Sequence, residues 1–250
     1  MINLEKLQLC LRVVRLDSTF ISGNQLYDQF LVYMSKLKKF TFDIKTKVRN
    51  PNVNIELPLI EEIQHSFVGR IYQQVFSYVK TNSSKRVGEC HVYSLPYDFE
   101  YFFNVNHSFQ GGTFEKVRQL QMKDTVPFKY ELFQRISQDF PFLKYLYIKN
   151  GRGMKNKSYA STLITFHFLT FLHLDGAHDD YAGLFLLKKY VHLPRLSHLS
   201  IEGKSLKKIT KNFTIDSMNF NFGKLITLDV GESFVRPKNF HVYFPILSMC

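Results

Sequence analysis

Residues 140–148 read FPFLKYLYI, and the same frame returns in FHFLTFLHL (166–174), LPRLSHLSI (193–201) and FGKLITLDV (222–230). Each contains L-x-x-L-x-[LIV], led by Leu143, Leu169, Leu196 and Leu225, so the intervals are 26, 27 and 29. One step backward lands on Val117 in VRQLQM, and a further 27 lands on Cys90 in CHVYSL. LKKFTF at Leu37 and LEKLQL at Leu4 extend the frame, which then recurs about eight times over residues 1–250. A single such core is common by chance; a series at near-constant spacing is not.

A repeat of this length and core is that of a leucine-rich repeat, in which a short strand is followed by a helix or 3₁₀ turn. The expected fold is α/β: one leucine-rich-repeat solenoid, a curved parallel sheet with helices on its convex side. Along each strand the leucines take one face and variable residues the other. Between strands the spacing turns helical. VPFKYELFQRIS (126–137) has Pro127 near a helix start and Leu132, Phe133 and Ile136 as its stripe; DDYAGLFLLKKYVHL (179–193) has Asp179 or Asp180 as a cap and Leu184, Leu187 and Val191 inside. A single unit cannot bury its apolar face, and stacking supplies the cover. Phe140, Phe142, Phe166, Phe168 and Phe222, just before the strands, are expected to fill the spine between layers. The interval from Leu37 to Cys90 is 53, about two periods, and implies an insertion at about 45–86. Within it, LIEEIQHSFVGRIYQQVFSYVK (59–80) has helical spacing through Ile60, Ile63, Phe67, Ile71, Val75 and Tyr78. FPILSMC opens another repeat at Leu247 and Leu4 already lies inside one, so one or both polar caps are expected to be missing, as in part of a longer product.

The chain is 45% hydrophobic and 16% aromatic, a composition that packs a core. No apolar run reaches the roughly 18 residues of a membrane span, and MINLEKLQLCLRVVRL carries charge through its apolar stretch, unlike a secretory signal. Three cysteines, Cys10, Cys90 and Cys250, with no C-x-x-C, argue for a reducing compartment, cytoplasmic or nuclear. LYIKNGRGMKNKS (146–158) brings a strand-like run into a glycine loop and then Lys157-Ser158, which raises a phosphate-binding loop. That pattern needs a second glycine directly before the lysine, where its N–H groups wrap the phosphates. Asn156 holds the slot, and no clear amphipathic helix follows, so an NTPase is not expected.

LYDQFLVYMSKLKKFTFDI, GECHVYSLPYDFEYF and FQGGTFEKVRQL, with the strand entries FPFLKYLYI and FPIL, resemble an expanded invertebrate family of F-box/leucine-rich-repeat proteins. The resemblance implies that the repeats hold a protein substrate and that an F-box binds the Skp1 adaptor of a cullin ubiquitin ligase. The nearest internal match to an F-box opening is LPLIEEI (57–63); without the following leucine spacing, Skp1 binding is expected only if a longer product supplies an F-box.

The repeat frame assigns the outward strand positions. One column reads Gln8, Thr41, Ser94, Gln121, Tyr147, His173, Ser200 and Asp229; its neighbour reads Lys6, Lys39, Val92, Gln119, Tyr145, Phe171, His198 and Thr227. Tyr145, Tyr147, Phe171, His173 and His198 then form one aromatic patch on the concave face, the expected protein-binding site. His167, His173, His178, His192 and His198 crowd one region. Only His173 and His198 share a face, with Asp175 and Glu202 two residues beyond them, so neither a metal nor another cofactor is expected. The formal charge of +12 gathers after the strands: Lys45, Lys47 and Arg49; Lys149, Arg152, Lys155 and Lys157; Lys204, Lys207, Lys208 and Lys211; Arg236 and Lys238. As loops along one edge these would make a basic rim for nucleic acid or another acidic ligand. Asp43, Asp175, Glu202 and Asp229 beside it argue against nucleic acid lying across the sheet. The expected function is a non-enzymatic protein-binding scaffold, a substrate receptor of a ubiquitin ligase by resemblance; the alternative is the acidic-ligand binder.

Overall fold

The structure is a computed structural model that describes residues 3–16, 20–49, 59–69, 71–72, 74–82, 87–154, 162–231 and 234–247. It is a mixed α/β fold with parallel sheets and helices and, among the described residues, no closed barrel. No helix among the described residues is long and apolar enough to cross a membrane. The chain divides into two compact units, Met1–Asp98 with Ser108–Phe114, and Phe99–His107 with Glu115–Cys250.

The first unit is built on four strands, β1 (Lys6–Arg15), β2 (Lys39–Arg49), β3 (Gln74–Asn82) and β4 (Val87–Leu95), in the order β1-β2-β4-β3. β1 and β2 run parallel, as the repeat frame requires, with Lys6 beside Lys39 and Gln8 beside Thr41. β4 departs from that frame. It pairs antiparallel with both β2 and β3, with Asp43 opposite Tyr93 and Ile44 opposite Val92. Val92 therefore faces the core and is not an outward position, and Ser94 is buried, its Oγ accepting from the Phe42 N–H at 2.9 Å.

Helix α1 (Gly23–Gln29), capped by Ser22, and helix α2 (Ile60–His65) cover one face of this sheet. Phe40, Phe42 and Phe67 stack at 5.1 and 5.3 Å, and Leu26, Leu31, Ile44 and Ile63 close the cluster. The helix expected over 59–80 stops after α2. Gly69 turns the chain in the left-handed region at φ 79°, and β3 follows. IYQQVFSYVK satisfies both periods, because apolar residues stand at 71, 72, 75, 76, 78 and 79. The long ladder to β4, from Gln74↔Leu95 to Asn82↔Val87, decides for strand.

The second unit carries a six-stranded parallel sheet: β5 (Tyr101–Val105), β6 (Gln119–Lys123), β7 (Tyr145–Lys149), β9 (Phe171–His173), β11 (His198–Ser200) and β12 (Thr227–Asp229). A separate parallel pair, β8 (Ile164–Thr165) and β10 (Val191–His192), lies between them in sequence. The register joins Gln119, Tyr145, Phe171, His198 and Thr227 in one row and Gln121, Tyr147, His173, Ser200 and Asp229 in the next. Leu143, Leu169, Leu196 and Leu225 all lie under this sheet, buried. β5 was not expected. The backward step of 27 from Val117 reaches antiparallel β4, whereas the strand beside β6 is FEYFF-rich β5, only 18 residues upstream (Tyr101 to Gln119).

The inter-strand segments of this unit contain α3 (Tyr130–Asp139), α4 (Asp179–Leu186) and α5 (Gly203–Ile209), and α6 (Phe240–Tyr243) follows β12. α3 starts three residues after Pro127, and its N-cap is Lys129. α4 is capped by His178 rather than by Asp179 or Asp180: the His178 Nδ1 accepts from the Asp180 N–H at 3.2 Å. Phe133, Phe166, Phe185 and Tyr181 interlock beneath the strands, and the Tyr181 hydroxyl donates to the Arg152 carbonyl at 3.0 Å. Of the expected spine, Phe140, Phe166 and Phe222 are buried, but Phe142 and Phe168 are not. Both stand in the turn before their strand and lie outside, packed on each other at 5.4 Å under the guanidinium groups of Arg118 and Arg195.

Each buried leucine of the strand frame contributes about 1.5–3 kcal/mol of transfer energy. Leu172→Ala, in the middle of the six-stranded sheet, is expected to lower unfolding free energy by about 2–5 kcal/mol. Ile226→Ala, at a 55% exposed site, is expected to change it by no more than about 0.5 kcal/mol. Denaturant unfolding followed by circular dichroism measures both, and equal losses would contradict this placement of the core.

Candidate functional site

The open face of the six-stranded sheet is where the second unit presents side chains not used in its core. In a parallel in-register sheet, equivalent residues of successive strands stand side by side. Tyr145 and Phe171 meet at 6.0 Å, Tyr147 and Phe171 at 5.5 Å, Tyr147 and His173 at 5.5 Å, and Phe171 and His198 at 6.2 Å. All five expected patch residues thus touch in one ladder centred on Phe171. Tyr145 is 41% exposed and the other four are half-buried, so the ladder presents ring faces without being a closed core. The His198 Nδ1–H donates to the Ser197 Oγ at 2.8 Å, which in turn donates to the Thr170 carbonyl at 3.2 Å; this chain holds the ring flat along the ladder. The same face carries Tyr101 and Phe103 on β5, stacked at 5.9 Å. Sequence reasoning missed them, although their alternation in FEYFFN was the available signal.

Beyond the carboxyl ends of β9, β11 and β12 the face deepens into a cavity of about 600 Å³ lined by Asp175, Ser200, Glu202, Lys204, Asp229 and Phe234, among others. It gathers three of the four acidic residues read from the sequence. Ser200 donates to Asp229 at 3.3 Å, and Lys204 pairs with Glu202 at 2.6 Å. Among the described residues no group of three His, Cys, Asp or Glu side chains is arranged to hold a metal. His167 and His192 are exposed, and His178 serves as a helix cap.

The basic rim is placed differently from its expectation. Lys149 ends β7 and Arg152 follows in an exposed turn, but Lys204, Lys207 and Lys208 lie on helix α5, not in loops. Leu206, fully buried, anchors that helix. Lys208 pairs with Asp179 at 2.5 Å, and Lys207 lies over the Phe234 ring at 5.4 Å. Lys155 and Lys157 lie outside the described residues, as do Asn156 and Ser158 of the phosphate-loop reading.

In the first unit the face expected to be outward is closed. Phe109 and Phe114 pack with Tyr93 and Tyr97 over it, and Thr41, Asp43 and His91 are buried beneath. Gly112, at φ 148°, lets this cover approach, since a Cβ there would meet Phe114 at 2.8 Å.

Asp43, 1% exposed, accepts from the Arg12 guanidinium at 2.9 Å, from His91 Nε2 at 2.8 Å and from the Tyr97 hydroxyl. Nε2 faces the Asp43 carboxylate and so carries the proton, and in the neutral imidazole Nδ1 then accepts from the Tyr78 hydroxyl at 2.7 Å. Burial holds His91 down to about 4, because Lys45 and Arg12 already offset the Asp43 charge and a second buried cation is unfavourable. Asp43 is held well below the usual carboxylate range by His91, Lys45 and Arg12, whose attraction outweighs the opposing effect of burial. Burial likewise pushes the Lys45 ammonium down to about 7. This network was not legible in the sequence, which placed Thr41 and Asp43 on an open face.

Comparison of the chain with protein-family models, with curated proteins and with solved structures finds no match.

The depressed imidazole has a consequence for stability. The unfolded chain takes up a proton at His91 near pH 6.5, whereas the folded one resists until about 4, so stability is lost as pH falls through that window. Asp43, also depressed, adds a further loss below its unfolded value of 3.8. Urea midpoints measured from pH 7 to 4 are expected to fall, and His91→Gln to flatten the slope between 6.5 and 4. An unchanged slope in the variant would assign the acid loss to other groups.

Proposed function

We propose that the chain is a non-enzymatic protein-binding scaffold, a leucine-rich-repeat solenoid whose partner docks on the aromatic ladder of β7, β9 and β11. The observation that carries this reading is the contiguity of Tyr145, Tyr147, Phe171, His173 and His198 on an open sheet face. Aromatic groups held rigid by their neighbours bury large areas at small entropic cost, which is the usual make-up of binding hot spots. Among the described residues of this face, the Ser197–His198 contact is spent on a backbone carbonyl.

Assignment as the substrate-recognition part of a cullin-type ubiquitin ligase, working in the cytoplasm or nucleus, rests on the F-box/leucine-rich-repeat resemblance. LPLIEEI offers it little: residues 57–58 lie outside the described residues, and the rest leads into the short helix α2. Skp1 docking requires an F-box in a longer product. A basic-rim reading for nucleic acid is weakened because Lys204 and Lys208 are already paired with Glu202 and Asp179.

A photo-crosslinking amino acid at position 145 or 198, flanking the ladder, is expected to capture a protein partner, and one at Lys224 to capture none. The double substitution Tyr147→Ala with Phe171→Ala is expected to weaken that partner's binding by about 2–4 kcal/mol while leaving unfolding nearly unchanged. Capture insensitive to the double substitution would remove the ladder as the site. Binding to purified Skp1, tested separately, bears only on the ligase assignment. A labelled RNA is expected to bind without the steep salt dependence of many phosphate contacts, and a steep dependence lost in Lys204→Gln/Lys207→Gln/Lys208→Gln would favour the rim instead.

A further inference from the structure

β1 is a ten-residue strand whose only partner among the described residues is β2, in unbroken register from Lys6↔Lys39 to Arg15↔Val48. The N–H groups of Lys38 and Lys39 both donate to the Glu5 carbonyl, at 2.8 and 3.1 Å. In a parallel ladder this commits the odd-numbered residues of β1 to β2. The N–H and C=O groups of Lys6, Gln8, Cys10, Arg12 and Val14 therefore point away from the sheet. Protein edges of this length are ordinarily blunted by a proline, a bulge or a covering element. KLQLCLRVVR has no proline, and its pairing with β2 has no bulge. The Arg12 guanidinium bonds Asp43 through Nη1 at 2.9 Å, and its side chain remains 39% exposed.

The side chains state what would fit. Leu7, Leu9 and Leu11 pack against the core of the first unit but remain half-buried, a row left incomplete on its outer side. The opposite face carries Lys6 and Arg12, six residues apart, and the strand has three basic residues and no acidic one. We propose that this edge binds an extended acidic segment of a partner protein by strand addition. Apolar residues of that segment would continue the Leu7–Leu9–Leu11 row, and acidic residues six apart on its other face would lie beside Lys6 and Arg12. A second copy of this chain fits poorly, because antiparallel self-pairing through the outward even-numbered residues sets one basic strand on another, with Lys6 opposite Arg12 where Gln8 meets Cys10. The inference concerns a surface of the first unit and stands apart from the aromatic ladder of the second.

The probe is a fluorescein-labelled ten-residue peptide alternating valine and threonine, with glutamate replacing the two threonines that are six apart, measured by anisotropy against the full chain. It is expected to bind saturably, weaken with salt, and bind at least about tenfold tighter than the same peptide with lysines in place of the glutamates. Cys10→Pro removes an outward N–H from an edge strand, where proline is tolerated, and is expected to abolish binding with unfolding unchanged. Should that variant lose its circular dichroism, Lys6→Glu decides, since it is expected to transfer the preference to a peptide with lysine at the facing position. Equal binding of both peptides to the unaltered chain, binding indifferent to Cys10→Pro in its folded form or to Lys6→Glu, or a sedimenting dimer dispersed by Cys10→Pro would each overturn the proposal.

Discussion

One hydrogen-bonding pattern sets the frame of the second unit. At each strand entry two consecutive N–H groups converge on a single carbonyl of the preceding strand. Lys144 and Tyr145 donate to Arg118, Thr170 and Phe171 to Lys144, Ser197 and His198 to Thr170, and Ile226 and Thr227 to Ser197. Each rung fixes the start of one strand against the start of the last, so position n of one repeat stands beside position n of the next. The buried leucines at 143, 169, 196 and 225 lie immediately before these donors and hold the turn against the core. Without that alignment the aromatic residues would be scattered along the chain; with it they become a ladder.

This explains which parts of the fold were legible. A leucine frame reports stacking wherever the rung recurs at constant spacing, and five strands of the second unit and their columns could be read from it. The sixth, β5, enters through the same rung, with Arg118 and Gln119 donating to Glu100, but from 18 residues away and with Phe102 where leucine stands elsewhere. The frame also skips to Cys90, whose CHVYSL carries an acceptable pattern. Alternation in a strand states that two faces differ; it does not state the direction of the chain. β4 satisfies the pattern while running antiparallel, and Val92, expected beside Lys39, stands opposite Ile44 instead, an odd displacement that turns it to the core.

Nor does alternation say which face meets water. The variable columns of β2 and of β7 read alike as polar or aromatic positions beside a leucine row. In β7 that column is open and carries Tyr145 and Tyr147; in β2 it holds Thr41 and Asp43 under Phe109, Phe114, Tyr93 and Tyr97. The cover comes from residues 108–114, which follow β5 in the chain, so no local window contains both halves of the contact. Charge had the same ambiguity. The excess of +12 suggested a free basic border, yet Lys204 and Lys208 face carboxylates supplied by Glu202 two residues away and by Asp179 on a different helix. Only the first of these pairings was within reach of sequence spacing.

Burying Asp43 is costly unless its lone pairs are used, and the first unit uses them fully: Arg12 comes from β1, His91 from β4 and Tyr97 from the segment after it. The carboxylate therefore ties three separate parts of the chain to β2. The hydroxyl of Tyr78 on β3 extends the tie to the fourth strand through His91. Leucines supply most of the burial energy but tolerate slippage, whereas this network has one solution, because any shift of β4 by a residue would move His91 to the helix-covered face and leave Asp43 short of a donor. The first unit, lacking the repeated rung except at Glu5, thus secures its register through a polar core, while the second secures it through recurring backbone geometry. Two different physical devices serve the same end, and the difference accounts for why leucine spacing reads clearly in one unit and fails in the other.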